Sequence, residues 1–153
     1  MTVTGTGAAS IEIVALPAAP PFTYLGVANA LIDGARALYA AEGNVHIALA
    51  LVSSHALECL LKAYLSGVGL NEKELKAGNL RHNLKGLWKE ANARGMEIDT
   101  EPPMWVNTLS SVHDAPYQLR YSLGVHGIAL PPVIDVVNGL NDLLLKVKAH
   151  LNV

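Results

Sequence analysis

The spacing of apolar and polar positions divides the chain into a short extended start and a succession of helices. Ser10 to Leu16 (SIEIVAL) is short and β-branched, and Pro17, Pro20 and Pro21 stop any helix there, so residues 1–22 read as an extended arm. From Thr23, a suitable N-cap, to about Glu42, the residues Leu25, Ala28, Leu31, Ile32, Ala35, Leu38 and Tyr39 recur every third or fourth position. That is the core face of a first helix. Gly43 ends it and Asn44 can cap a second helix over about Val45 to Ser66, apolar almost all round, as a helix buried on several sides must be. Asn71 and Glu74 have the spacing of a capping box, which predicts a short helical turn over Asn71 to Lys76. A third helix is predicted from about His82 to Arg94, stopped at Gly95, with Leu84, Leu87, Trp88 and Ala91 inward. Pro102 and Pro103 suit the first turn of a fourth, which turns Trp105, Val106, Leu109 and Val112 to the core. The fifth begins near Pro131 and Pro132. Val133, Val136, Val137, Leu140, Leu144, Val147 and Leu151 then form a near-heptad seam. The expected fold class is all-α, an antiparallel four- to five-helix bundle over residues 23–153 behind the short extended N-terminal arm.

Composition narrows this picture. At 153 residues the chain suits one domain, able to bury a core without a metal or disulfide staple. Charged residues make up 16%, below the roughly 25% of an average globular chain, and 51% are hydrophobic, which excludes a charge-driven disordered protein. The most apolar window, Ile47 to Leu65, carries Ser53, Ser54, His55, Glu58 and Lys62, so no membrane span is expected. The start MTVTGTGAAS has no basic residue before its apolar stretch and does not read as a secretory signal, and the expected compartment is cytoplasmic. A net charge of −2 argues against a dedicated nucleic-acid coat but leaves room for a local phosphate site. Charge is concentrated in residues 72–99, with eleven charged groups of which six are positive. The apolar excess, in the second helix, the seam of the fifth and the long loop, points to a subunit interface and a homodimer.

Candidate chemistry is sparse. Phosphate-loop, dinucleotide, nucleophile-elbow and HExxH motifs are all missing. Cys59 is the single cysteine, set in an apolar run where a buried, inert thiol is expected. Six histidines show no ligand spacing, so neither a metal nor a cofactor is expected. Ser54, Glu58 and Lys62 recur every four residues on the second helix, beside His55. Such a stripe either faces water, with Glu58 and Lys62 as a surface ion pair, or lines a site or interface. Arg81, Lys85 and Lys89 form a basic row on another face of the third helix, either solvated or able to hold phosphate. Ala115 to Leu130 (APYQLRYSLGVHGIAL) is longer than most structureless connections and rich in aromatic and aliphatic residues, which marks it as the segment to suspect of function. A small-molecule pocket beneath it, between the second and third helices, is a further option.

The stretch HALECLLKAYLSGVG, followed by RHNLKGLWKEANARG and then PYQLRYS, resembles the HEPN (higher eukaryote and prokaryote nucleotide-binding) domain family. The resemblance runs from about Ile47 to Ser122, with the fifth helix fitting as the family's last. It is carried by Glu58 to Ala63, by His82-Asn83-Leu84 with Leu87, and by Leu119-Arg120-Tyr121. It implies an antiparallel helical bundle, often dimeric, that acts as an interaction module associated with nucleotides or RNA. Glu58, Lys62, His82, Tyr121, Lys85 and Lys89 are then the binding candidates. Some members of the family are metal-independent endoribonucleases that use an arginine and a histidine separated by four to six residues. Arg120 and His126 have that spacing, with five residues between them. In that alternative, Arg120 would hold the scissile phosphate and His126 would move protons at the attacking or leaving oxygen. The non-catalytic use of Arg120 is to pin the long loop to a carboxylate such as Glu58.

Overall fold

The computed structural model describes residues 19–121, 127 and 129–153, and among these every regular element is helical. In chain order they are α1 (Phe22–Ala40), α2 (His46–Gly67), the single turn α3 (Glu72–Leu75), a 3₁₀ turn (Gly78–Leu80), α4 (Leu84–Ala93), α5 (Met104–His113) and α6 (Val133–Leu151). The all-α expectation therefore holds. Of the extended arm, residues 1–18 lie outside the described residues.

α2 is the centre of the fold. Every residue from Ala56 to Leu65 is buried, and α1, α4, α5 and α6 all pack on this one helix. α2 has the length and hydropathy of a membrane span, and its all-round apolar character is used inside the bundle. α1 lies along it through Leu25, Ala28, Ile32 and Ala35, two of them alanines that let the backbones approach. α6 contributes Val136, Leu140, Leu144 and Val147, all buried. The seam expected to face a second subunit thus packs on α2 and α1 within the chain, because the central helix needs an apolar neighbour on that side. Arg36 of α1 ties to Asn141 of α6 through its Nε at 3.1 Å.

Helix ends depart from the periodicity in ways that local chemistry explains. α1 begins at Phe22, one residue before Thr23, whose hydroxyl accepts from the Ala19 N–H at 2.7 Å instead of capping the helix. α3 has the full capping box: Asn71 accepts from the Glu74 N–H at 3.0 Å and Glu74 accepts from the Asn71 N–H at 2.8 Å. α4 starts at Leu84, not His82, because Asn83 takes the N-cap and accepts from the Gly86 N–H at 2.9 Å. That two-residue difference leaves His82 outside the helix, with its side chain turned back onto α2.

Candidate functional site

Glu58 is the organising residue. Midway along the buried run of α2, its side chain is 5% exposed, and an isolated carboxylate there would be expelled or protonated. It survives because three donors meet it. Lys62, one turn on, donates to Oε1 at 2.7 Å, and His113 at the end of α5 donates from Nε2 to Oε2 at 2.8 Å. His82 donates from Nδ1 to Oε1 at 3.2 Å. Burial by itself would raise the Glu58 carboxyl. The hydrogen bonds from His113 and Lys62 and their charges outweigh burial and hold it down at about 2. Lys62, 6% exposed, completes its own shell by donating to the Arg81 carbonyl at 2.8 Å. The cluster therefore locks the 3₁₀ turn and the start of α4 against α2 and α5.

The polar stripe of the second helix is thus buried, not wet. Ser54, Glu58 and Lys62 are all covered, and His55 alone is exposed. A surface ion pair between Glu58 and Lys62 is corrected to a buried one, because α4 and α5 close over that face with two histidines as added partners. Nor is Glu58 the anchor of Arg120: its oxygens are taken by Lys62, His82 and His113.

The ligand atoms of Glu58, His82 and His113 lie within 4.8 Å of one another, so a metal ion is the first chemistry to test against the geometry. Two features favour a hydrogen-bonded ion cluster instead. Lys62 already neutralises the carboxylate at 2.7 Å and would face the cation. His113 Nδ1 is buried without a partner. Coordination through Nε2 would leave the ring proton on Nδ1 as a buried N–H that no carbonyl or carboxylate receives.

The cluster opens to solvent through His82, whose side chain is 29% exposed. Its ring meets that of Tyr117 edge to face at 6.1 Å, and the Arg120 guanidinium carbon lies 5.9 Å from the Tyr117 centroid. Tyr117 is held at φ 61°, in the left-handed region where a bulky side chain is strained, so the chain turns here to present this ring. Arg81, Lys85, Arg120 and Tyr121 are exposed nearby in sequence, and Lys89, further along α4, pairs with Glu101 at 3.3 Å. His55 is held below its ordinary value, first by desolvation and then, against the pull of Glu58, by His113, Arg120 and Lys62. His126 lies outside the described residues, so its relation to Arg120 is not part of this geometry.

Sequence reasoning singled out Glu58, Lys62, His82, Arg120 and Tyr121 but missed His113 and Tyr117. His113 had a legible signal: it follows Leu109 by four and Val106 by seven, on the inward face of α5. Tyr117 had only its membership of the suspect loop.

Fold and site together define an all-α bundle whose central helix carries a buried carboxylate tied to a lysine and two histidines, with an aromatic and cationic mouth above it. No family model, curated protein or solved structure matches the chain.

Proposed function

We propose that the protein is a HEPN-like helical interaction module that binds a nucleotide or single-stranded RNA at the His82–Tyr117–Arg120 mouth without cleaving it. The observation that carries this reading is the stack itself. A strained tyrosine holds a guanidinium over its ring and an imidazole at its edge, the combination that grips a phosphate beside a base. Glu58 and Lys62 act from below. They do not touch ligand; they fix the His82 ring and the Arg81 carbonyl just before α4, and Lys85 and Tyr121, exposed nearby in sequence, are the further contacts this reading expects. The proposal includes a homodimer, for which α1 and α2 supply large exposed apolar side chains at Phe22, Val27, Tyr39, Ile47 and Leu51.

The test is fluorescence anisotropy with a labelled single-stranded RNA of about twelve nucleotides, at two salt concentrations. Micromolar binding that weakens with salt and drops about tenfold in Arg120→Ala supports the reading. Equal binding by the variant, or none at about 100 μM protein, overturns it. One observation favours the ribonuclease alternative: Arg120 is exposed and joins no ion pair with a carboxylate among the described residues. Shortened RNA in EDTA, abolished by His126→Ala, would replace the binding reading with that one. Sedimentation at low micromolar concentration checks the dimer.

A further inference from the structure

A second cleft, open to solvent and separate from the Glu58 cluster, lies between α4, the loop after it, α5 and α6 and has a volume of about 560 Å³. That volume is within the usual range of small-molecule sites, roughly 300–1,000 Å³. Both tryptophans of the protein line it. Trp88 is buried and Trp105 half-buried, and their rings meet at 6.5 Å and 89°. Each is fixed. Trp88 donates from Nε1 to the Asp99 carbonyl at 2.7 Å. Trp105 lies against α6 at Gly139, where a Cβ would collide with the indole. The loop between them is held by Asn92, which donates to the Ile98 carbonyl at 2.7 Å.

The charges of the cleft are unbalanced. Glu97, Asp99 and Asp142 line it against the single ammonium of Lys146. None of the three carboxylates joins an ion pair among the described residues. Preorganised indoles bounded by surplus negative charge suit a large, weakly hydrated cation better than an anion or a neutral molecule. We propose that this cleft binds a small organic ammonium cation, seated against Trp105 and balanced by Asp142, Glu97 and Asp99.

The protein's own tryptophan fluorescence reports on this site alone, since no tryptophan lies elsewhere. Titration with choline is compared with its neutral isostere 3,3-dimethyl-1-butanol, each up to about 10 mM. The expected result is a saturable change with choline, little with the neutral compound, and about fivefold weaker binding in Asp142→Asn. Asp142 is exposed, so this variant keeps its fold. An arm with Nα-acetyl-lysine methylamide, whose side-chain ammonium is free, separates a lysine on a protein partner from a free quaternary ammonium such as choline by which of the two binds tighter. No saturation with either cation, equal response to the neutral isostere, or unchanged affinity in Asp142→Asn overturns the proposal. Arg120→Ala leaves this titration unaltered, which keeps it independent of RNA binding.

Discussion

Replacing Glu58 by glutamine keeps the shape of the side chain and removes its charge. The amide retains one oxygen but presents an NH₂ where the carboxylate presented a second acceptor. Either Lys62 or His113 then faces a donor, and the Lys62 ammonium, 6% exposed, loses its counter-charge. Two independent routes give the size of the loss. The fall of the carboxyl from 4.5 to about 2 corresponds to about 3 kcal/mol of native stability at neutral pH. Breaking a buried ion pair from one side costs about 3–5 kcal/mol. Their agreement predicts that Glu58→Gln loses about 3 kcal/mol at pH 7, or about 6–12 °C in Tm for a chain of this length.

The pH dependence gives the sharper test. A carboxyl whose native value is depressed contributes stability that is fully present above its unfolded value and lost as pH falls toward the native one. For Glu58 that window runs from 4.5 down to about 2. About 2 kcal/mol of the contribution is gone by pH 3, so the gap between wild type and variant should narrow from about 3 to about 1 kcal/mol. Urea unfolding followed by far-ultraviolet circular dichroism at both pH values measures it, since the other carboxylates are common to both proteins. A gap below about 1 kcal/mol at pH 7, or one that stays constant with pH, refutes the assignment of Glu58 as a buried, three-donor carboxylate. Glu58→Leu with Lys62→Met removes both charges together but leaves the buried His113 ring and the Arg81 carbonyl without partners, so it should recover only part of the loss.

Three further outcomes follow from the same geometry. Burial and the neighbouring Glu58 charge push the Cys59 thiol up to about 12, so a disulfide reagent at pH 8 should react only on unfolding, and immediate stoichiometric labelling of the native protein contradicts this. Gly86→Ala sets a Cβ against the Asn79 carbonyl and the capping Asn83 side chain, and thermal unfolding should show a loss of about 1–3 kcal/mol where a solvent-exposed helix position would gain from alanine. Zinc in about tenfold excess should leave Tm within about 1 °C of the metal-free value, and a rise of several degrees would identify Glu58, His82 and His113 as ligands after all.

What the sequence made legible, and what it left hidden, separates along a physical line. Amphipathic spacing located the core faces of α1, α4 and α5, and the Asn71–Glu74 pair located α3, because these signals are local. The start of α4 reads two residues early, at His82, although the N-cap signal is present. Asparagine is a far better N-cap than histidine, and Asn83 takes the position beside His82. The environment of Glu58 and Lys62 was not readable. Their spacing is the same whether the stripe faces water or protein, and the deciding partners are the Arg81 carbonyl and a histidine 55 residues away. The mouth is intermediate: Arg120 and Tyr121 stood in a segment already suspect for its length, but only the left-handed turn at Tyr117 stacks Arg120 on an aromatic ring.

The low charge content and the buried ion cluster have one cause. A central helix packed on all sides requires an apolar face from each neighbour, and α1, α5 and α6 supply theirs to α2. Charge is thereby concentrated in residues 72–99, where α3 and α4 lie and where eleven of the 24 charged residues fall. A helix so enclosed can carry ionised side chains only if they satisfy one another, and Glu58 with Lys62 does so at adjacent turns. Once that pair is buried, its remaining hydrogen-bonding capacity must be met by whatever packs above it. Glu58 takes His82 and His113, and Lys62 takes the carbonyl of Arg81. A shift of α4 by one turn would carry His82 and the Arg81 carbonyl out of reach and leave a Lys62 donor unmet in the core, whereas an apolar contact there would tolerate it. The cluster therefore fixes where α4 begins, and with it the position of His82 beneath Tyr117 and Arg120. The stability test on Glu58 and the binding test on Arg120 are linked for this reason: loss of the carboxylate should weaken ligand binding even though Glu58 touches no ligand.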